Sequence, residues 1–460
     1  MIRDLAGFAR VTGGRLQGAN AAFGPVVSDS RTLEPGSLFV ALAGEHFDGH
    51  DFVSQAEARG AAGAVVSRPV AATVAQVVVP DTLGALTRFA HAWRRDFSGT
   101  VVGITGSNGK TTVKEMTGAI LGVCGPCLVT SGNLNNHIGM PLTLARLDAA
   151  HRFAVIEMGA NHQREIAELA ATCEPDVGLV TNAGPAHLEG FGGIEGVARG
   201  KGEMFEALGV EDTAVINADD RYAALWHGLA RAAGRTVTFG MRERADFGAR
   251  DVRGEAASDG FATEFELVSP LGRRRIRLAL AGEHNVMNAL AAAAAASAAG
   301  ANLDAIERGL AAMRPVSGRL QSRPACGGAR LIDDSYNANP GSVRAGLASL
   351  ALVPGEHWLV LGEMRELGPG SASLHAEIGE LASKAGVKRL LAVGDDARHA
   401  VEAFGPGATW FASVEDLVDA AKSGLHAGVT IMVKGSRSNR LERVADALAA
   451  GGTAPGAGSH

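Results

Sequence analysis

One segment limits the possible folds of this chain more than any other: an apolar strand that runs through a glycine-rich turn into a helix. Residues 101–112 read VVGITGSNGKTT. Glycines at such a turn let backbone amides converge on phosphate oxygens, while Lys110 adds positive charge and the Thr111 hydroxyl is a magnesium ligand. The strict motif asks for glycine at Ile104, and here Gly106 carries the turn instead. The segment predicts nucleotide binding; a purely structural glycine turn is the alternative.

Apolar strands and helical stretches alternate after this turn, which is typical of a parallel sheet covered by helices on both faces. Strands are predicted at residues 153–157, 177–181 and 214–217. Glu157 ends the first of these strands, at the edge where parallel sheets bind their ligands, and is therefore a candidate metal ligand. A salt bridge or a helix cap is the alternative role for this glutamate.

The same α/β alternation occurs before and after this central region. A chain of 460 residues is long enough for about three domains. A helix predicted at 82–95 closes the first unit, and strands resume after Gly318. We predict an N-terminal domain at residues 1–97, a central domain at 98–313 and a C-terminal domain at 314–455.

Two segments inside the central region have patterns of their own. Charged and apolar residues alternate over 273–280, which predicts an antiparallel hairpin appended to the central sheet. Its basic run, residues 273–275, is either a solvated strand face or a nucleic-acid patch, and no aromatic residues are interleaved with it. The alanine-rich segment 285–300 predicts a packed helix that begins at Asn285.

Charge and composition exclude several classes of protein. The net charge is -6, so no overall attraction draws the chain to nucleic acid or to an anionic membrane. No apolar run approaches the ~18 residues of a spanning helix, and charges interrupt the N-terminus, so we expect a cytoplasmic protein. Among the four cysteines, Cys124 and Cys127 are spaced as a redox or zinc half-site, with a simple Gly-Pro turn as the alternative.

The phosphate loop, read as GITGSNGKTT over residues 103–112, resembles the signature of the Mur ligases and of folylpolyglutamate synthase. Further segments carry the resemblance across the chain: SDSR at 28–31, SGNLNNHIGMPLT at 131–143, AHLEGFG at 186–192, DDSYNANP at 333–340 and KGSR at 434–437. The resemblance implies an α/β fold with the three-domain Mur ligase architecture. A central P-loop domain with a parallel sheet would be flanked by an N-terminal α/β UDP-binding domain and a C-terminal Rossmann-like α/β domain.

Within that family, the resemblance is to the members that join D-Ala-D-Ala to UDP-N-acetylmuramoyl-tripeptide. It implies ATP and Mg²⁺ as cofactors, an acyl-phosphate and a tetrahedral intermediate, and these two small-molecule substrates. We expect a monomer that binds neither nucleic acid nor a membrane. Another Mur ligase, a folylpolyglutamate synthase, or a binding protein that uses ATP only as a conformational switch are the alternatives.

The resemblance also implies roles for individual residues. The catalytic group would be Lys110, Glu157, His187 and Lys201. The metal ligands would be Thr111, Glu157, His187 and Lys201, the last as a carbamate. The nucleotide would contact Gly106, Ser107, Asn108, Gly109, Lys110, Thr111, Thr112, His284, Asn285, Arg319, Asp334 and Tyr336. The substrates would contact Ser30, Arg31, Asn133, Asn135, Asn136, Lys434 and Arg437.

Taken without the resemblance, several of these residues have simpler interpretations. A lone histidine such as His187 is often structural, and Lys201 has the pattern of an ordinary exposed helix lysine. Asn285 is a possible helix cap, and Arg319 a possible surface ion pair. Asparagines such as those between 133 and 136 also build turns.

Overall fold

The computed structural model describes residues 2–44, 47–257 and 260–451. Over these residues the strands form four sheets, and the chain has an α/β, three-domain architecture. Parallel pairing dominates three of the sheets, as the alternating pattern predicts.

The N-terminal domain is a small sheet with order β1-β5-β4-β3-β2, in which only the β1–β5 pair is antiparallel within the described residues. Its closing helix begins where Asp81 accepts hydrogen bonds from the backbone N–H groups of Leu83 and Gly84. Its elements are α1 (Leu5–Thr12), β1 (Arg15–Gln17), β2 (Val26–Val27), β3 (Leu38–Val40), α2 (Val53–Ala58), β4 (Gly63–Val66), β5 (Gln76–Val78) and α3 (Thr82–Arg95).

The central domain begins with the strand and helix on either side of the phosphate loop. Its first elements are β6 (Thr100–Thr105), α4 (Lys110–Cys124), β7 (Cys127–Val129), α5 (Gly139–Leu144), β8 (Phe153–Glu157), α6 (Glu165–Cys173), β9 (Val177–Val180), α7 (Leu188–Phe191), α8 (Ile194–Glu206), β10 (Thr213–Asn217), α9 (Ala223–Leu229) and β11 (Arg235–Phe239). The parallel sheet has the order β11-β10-β9-β6-β8-β7. Val101 and Val102 of β6 enter different apolar cores, so helices cover both faces.

The predicted antiparallel hairpin is confirmed, but the prediction that it is appended to the parallel sheet is wrong. The strands β12 (Gly248–Ala257), β13 (Gly260–Ser269) and β14 (Gly272–Leu278) form a separate antiparallel sheet. Sequence reasoning missed β12, which contains few residues that favour strands and has an irregular register between Arg250 and Arg253. In the basic run, Arg274 pairs with Asp304 and Glu307, while Arg273 and Arg275 point to the other face of the strand, where both are exposed and Arg273 lies 3.8 Å from Glu266.

Two helices complete the central domain: α10 (Glu283–Ala298) and α11 (Leu303–Ala312). The alanine-rich helix α10 is buried over most of its length and packs in the same core as α4. The prediction that α10 begins at Asn285 is wrong, because Gly282 is the N-cap. Asn285 lies inside the first turn, where its side chain donates to the Ala281 carbonyl.

The C-terminal domain has a sheet with order β15-β16-β20-β17-β18-β19, in which the β15–β16 pair is antiparallel and the other pairs parallel over the described residues. Its elements are β15 (Gln321–Pro324), β16 (Arg330–Asp334), α12 (Pro340–Leu350), β17 (Glu356–Gly362), α13 (Ser371–Lys384), β18 (Arg389–Val393), α14 (Ala397–Phe404), β19 (Ala408–Phe411), α15 (Val414–Gly424), β20 (Val429–Lys434) and α16 (Glu442–Leu448). Residues 452–455 of the predicted domain lie outside the described residues.

The Cys-Gly-Pro-Cys segment joins the end of α4 to the start of β7 as a turn. Cys124 and Cys127 are both free, and burial raises the pKa of the Cys127 thiol to about 12, which disfavours a reactive thiolate.

In the described ranges, no group of three or more His, Cys, Asp or Glu side chains is arranged to hold a metal. In that part of the chain, no helix has the length and apolar character needed to cross a membrane.

Gly309 on α11 tests how closely α11 packs against α4. A Cβ atom at Gly309 would meet the backbone of Ile120, so Gly309→Ala should lower the free energy of unfolding by about 1–3 kcal/mol. The measurement is the midpoint of thermal unfolding followed by circular dichroism. Gly122 on α4 has no atom within 4 Å of the position that a Cβ would take, so Gly122→Ala is the control and should be neutral or stabilising. Equal midpoints for the two variants would contradict this packing.

Candidate functional site

A cleft of about 740 Å³ lies where the central and C-terminal domains face each other. The phosphate loop, the end of β8 and the start of α10 form its central-domain wall. Loops after β16, β17 and β20 form the opposite wall. The ends of parallel strands meet at this edge because their carboxyl ends share one side of a sheet.

The backbone of the phosphate loop has the conformation that its glycines permit. Gly106 and Gly109 have φ of 142° and 83°, and a Cβ atom at either would collide with a neighbouring side chain. The backbone N–H of Asn108 donates to the side chain of Asn182 at 3.0 Å. The Lys110 ammonium donates to the Gly106 carbonyl at 2.6 Å, and burial lowers the pKa of this lysine. The loop is therefore preformed, and every predicted loop residue except Gly106 lines the cleft.

Glu157 lies beside this loop with one carboxylate oxygen unpaired. The register of β6 and β8 pairs Ile104 with Glu157. Glu157 is 2% exposed, its Oε1 accepts from the Asn135 amide at 2.7 Å, and its buried Oε2 has no hydrogen-bond partner among the described residues. A buried, unsatisfied carboxylate oxygen is costly unless a cation satisfies it. Together with the Thr111 hydroxyl, it fits a hard divalent cation.

Arg319 reaches across the cleft from the start of the C-terminal domain. Its guanidinium donates to the Thr111 hydroxyl at 3.0 Å and stacks on the ring of Tyr336, 4.3 Å from the ring centroid. The alternative of a surface ion pair is wrong for Arg319, because its contacts are a hydroxyl group and an aromatic face. The arginine is thus held next to the phosphate loop by a residue of its own domain.

Asp334 and Lys434 form a buried ion pair in the wall opposite the phosphate loop. The lysine ammonium donates to Asp334 at 2.6 Å and to the Asn337 carbonyl at 3.0 Å. The charge of the buried Lys434 is matched by Asp334. The guanidinium of the exposed Arg437 is 3.6 Å from the carboxylate of Glu442 and 5.6 Å from the Tyr336 ring centroid, so either cation would have to share its charge with a ligand carboxylate.

The start of α10 contributes His284 and Asn285 to the cleft. Burial lowers the pKa of His284 to about 4, so the imidazole is neutral near pH 7. The side-chain oxygen of Asn285 accepts a hydrogen bond from the side-chain amide of Asn288 at 3.0 Å. Both predicted residues therefore present a neutral, hydrogen-bonded surface.

His187 and Glu366 make a direct contact between the two domains. Both residues have positive φ, 55° and 63°, which is uncommon for residues other than glycine. The carboxylate of Glu366 contacts the Nδ1 atom of His187, and the pKa of Glu366 is lowered by this hydrogen-bonding partner. The purely structural alternative for His187 places it in a core, whereas the structure places it in the cleft.

Lys201 is buried in α8 and does not line the cleft. It is 1% exposed, so the alternative of an ordinary exposed helix lysine is wrong. Its ammonium donates to the Ala160 carbonyl at 2.9 Å and lies 4.9 Å from the ring centroid of Phe191. Burial, with a smaller contribution from the charge of Lys110, lowers the pKa of Lys201 well below its ordinary value.

The predicted substrate residues fall into two groups. Asn133, Asn135 and Asn136 line the cleft, although Asn136 also accepts from the backbone N–H of Gly139 at the start of α5. Ser30 and Arg31 lie outside the cleft, in the N-terminal domain. There Ser30 donates to Gln55 at 2.6 Å, and Arg31 pairs with Asp29 at 2.9 Å.

Sequence reasoning missed several cleft residues. Asn339 donates to the side chain of Asn108 at 2.7 Å and is a third link between the two domains. Glu366 and Asn182 were also missed. All three follow the carboxyl end of a strand of a largely parallel sheet, namely β16, β17 or β9, and that position is the signal that could have identified them.

Comparison with known proteins places this geometry in a family. Three family models match: "Mur ligase family, catalytic domain" at residues 23–94, "Mur ligase middle domain" at 104–296, and "Mur ligase, glutamate ligase domain" at 318–437. The UDP-N-acetylmuramoyl-tripeptide--D-alanyl-D-alanine ligase of Escherichia coli (strain K12) is 44% identical over 445 residues, which cover 96% of this chain and 97% of the relative.

Solved structures agree with the sequence comparison. A crystal structure of MurF from Acinetobacter baumannii has a TM-score of 0.88 at 35% identity and covers 95% of this chain and 96% of its own. The MurF ligase from Thermotoga maritima, in complex with ADP, has a TM-score of 0.80 at 28% identity and covers 91% of this chain and 96% of its own.

Gly109 tests the phosphate loop directly. Gly109→Ala should weaken ATP binding at least about tenfold, because a left-handed alanine costs roughly 1–2 kcal/mol and its Cβ would collide with Asn288. Isothermal titration calorimetry measures the dissociation constant. Gly228→Ala, on α9 with no atom within 4 Å of the added Cβ, is the control and should bind ATP normally. Unchanged affinity in Gly109→Ala would refute the requirement for glycine.

Proposed function

Because the chain belongs to the Mur ligase family, we propose that it is an ATP-dependent ligase that joins D-Ala-D-Ala to UDP-N-acetylmuramoyl-tripeptide. The observation that carries the proposal is the cleft itself, in which a preformed phosphate loop faces a second domain next to a buried, unsatisfied carboxylate. The product is the peptidoglycan precursor with a complete peptide, and we place the reaction in the cytoplasm.

The chemistry explains why the residues with proposed roles in the cleft include several cations and no nucleophilic side chain. A carboxylate resists attack by an amine, so its oxygen first takes the γ-phosphoryl group of ATP, which gives an acyl phosphate and ADP. The amine nitrogen of D-Ala-D-Ala then attacks the acyl carbon, and the tetrahedral intermediate expels phosphate as the amide forms. Phosphoryl transfer depends mainly on positioning and charge neutralisation.

The residues present fit these demands. Lys110 and the loop amides would neutralise and orient the phosphates, and Arg319 would add a cation from the C-terminal domain when the cleft is closed. His284, Asn285, Asp334 and Tyr336 would contact the nucleoside. Because ligands contact both walls, nucleotide binding favours the closed arrangement of the two domains.

Mg²⁺ fits the residues at the phosphate loop. Thr111 and Glu157 would hold one ion, since the Oε2 atom of Glu157 lacks a partner among the described residues, and His187 would help to hold a second ion; phosphate oxygens would complete the ligand sets. The ions would neutralise charge on the phosphates and on the acyl group. These protein groups fix where the phosphates lie relative to the acceptor carboxylate.

Lys201 would act as a carbamate. A buried, neutral amine is the form that captures carbon dioxide, and the burial that lowers the pKa of Lys201 well below its ordinary value favours that form. The carbamate would present oxygen atoms in place of a cation, and it would ligate or orient the second metal ion between ATP and the acyl group.

The substrates would extend to both sides of the phosphate loop. Ser30 and Arg31 would contact the UDP end on the N-terminal domain, and Asn133, Asn135 and Asn136 would contact the tripeptide. The C-terminal domain would receive D-Ala-D-Ala, with Arg437 or Lys434 near its carboxylate. We also propose that the domain boundaries lie near residues 97 and 313 and that the enzyme is a monomer.

An activity assay tests the ligase. Phosphate release should require ATP, UDP-N-acetylmuramoyl-tripeptide and D-Ala-D-Ala together, with one amide formed per phosphate. Lys110→Ala should lose turnover while keeping its circular dichroism spectrum, because it lacks the charge that orients the phosphates. ATP hydrolysis without amide formation would identify a nucleotide-driven switch instead.

Isotope-labelled bicarbonate tests the carbamate. Nuclear magnetic resonance should show a carbamate carbon in the unmodified enzyme and in the control Lys384→Met, which alters an exposed lysine. The signal should be absent from Lys201→Met, and turnover of that variant should fall at least about tenfold, the loss of one oxygen-donating group to a metal. A free amine at Lys201 together with full activity would disprove this role.

A further inference from the structure

Four acidic residues line the cleft, and three of them have their charge committed to other groups. Glu157 faces the phosphate loop and the proposed metal. Asp334 pairs with Lys434. Glu165 accepts from the backbone N–H of Asn161 at 2.7 Å and contacts its neighbour His162. The fourth, Glu366, has a 52% exposed side chain, and its contact within the described residues is with His187.

The loop that carries Glu366 is held in place on both sides. The backbone N–H of Met364 donates to the buried His375 at 2.9 Å, and the N–H of Arg365 donates to the hydroxyl of Ser436 at 2.8 Å. Met364 and Leu367 are both buried. Between them Glu366 has a φ of 63°, a conformation that a non-glycine residue keeps only where its surroundings fix it. The fold thus holds this residue at the cleft at some cost in conformational energy.

The contact between Arg365 and Ser436 also joins the two loops that carry Glu366 and Arg437. Glu366 follows Arg365, and Arg437 follows Ser436, so a carboxylate and a guanidinium stand one residue beyond a shared hydrogen bond. Both side chains line the cleft, and both belong to the C-terminal domain. A ligand that fits this pair carries a cation at one end and an anion at the other.

The incoming dipeptide has that charge pattern. Its amine is mostly protonated near neutral pH, and its other end is a carboxylate. The amine must also approach the acyl group beside the phosphate loop, which is the side of the cleft that His187 occupies. Glu366 contacts His187 across the domain boundary and so lies on that side of the cleft.

Resting on the proposed function, we propose that Glu366 binds the ammonium group of D-Ala-D-Ala while Arg437 receives its carboxylate. In the ligand-free chain His187 takes the place of the ammonium group. Displacement of His187 from this contact would release the carboxylate of Glu366 for the substrate. Once the ammonium group has passed a proton to this carboxylate, the neutral amine would attack from the orientation that Glu366 sets, and the residue would select a dipeptide with a free amine.

Steady-state kinetics of Glu366→Gln tests this role. The KM for D-Ala-D-Ala should rise about tenfold or more, the effect of losing a charge-assisted hydrogen bond, while the KM values for ATP and UDP-tripeptide stay within about twofold. Glu366→Asp keeps the charge and should recover part of the loss. Glu380→Gln, which alters an exposed ion pair on α13, is the control and should behave as the unmodified enzyme.

A neutral analogue separates charge recognition from a structural role. D-Lactyl-D-alanine has a hydroxyl group where D-Ala-D-Ala has its ammonium group. It should inhibit the unmodified enzyme with an inhibition constant far above the KM for D-Ala-D-Ala. In Glu366→Gln the ratio of that inhibition constant to the KM should be smaller. A variant that had only lost local structure would bind both compounds more weakly by the same factor, and that result would overturn the inference.

The ligase function and the role of Glu366 fail in different ways. An unmodified enzyme that forms no amide from the two substrates would overturn the ligase function, and the role of Glu366 with it. An active unmodified enzyme with an unchanged KM for D-Ala-D-Ala in Glu366→Gln would overturn the role of Glu366 alone.

Discussion

The parallel pairing of β6 with β8 is the constraint on which the site depends. Their register places Ile104 opposite Glu157, so the chain leaves one strand as a phosphate loop and the other as a buried carboxylate at the same edge. The helix that follows the loop directs its first backbone amides toward that edge. Neither the phosphate loop nor the carboxylate of Glu157 makes a metal–nucleotide site alone. The two lie next to each other because of the order of the strands in the sheet.

The C-terminal domain completes the site through a few polar contacts. Arg319 touches Thr111, Asn339 touches Asn108, and Glu366 touches His187. Beside these polar contacts, Phe261 and Ala281 of the central domain are buried in the same apolar core as residues of the C-terminal domain, so the interface has an apolar part as well. An acyl phosphate must be protected from water, and the two kinds of contact together close the cleft around it.

The buried Lys434 and Lys201 and the half-buried Lys110 show how differently one fold handles a cation. Lys434 is matched by Asp334, Lys110 donates to carbonyls of its own loop, and Lys201 has a single carbonyl partner. An uncompensated buried ammonium group is costly, so it loses its proton or gains a partner from a ligand. Phosphates would supply that partner for Lys110, and carbon dioxide would remove the charge of Lys201.

The sequence by itself determined the strand–helix alternation, the phosphate loop and the motifs that place the chain among the Mur ligases, because each depends on residues that are close along the chain. The periodicity of apolar residues did not reveal the separate antiparallel sheet, because a local residue pattern does not specify which strands pair. Only the tertiary structure decided that Lys201 is buried, that Asp334 takes the charge of Lys434, and that Glu366 meets His187. Those contacts join residues up to 179 positions apart, the difference between 366 and 187, and their energies depend on burial and on approach between domains that no local segment encodes.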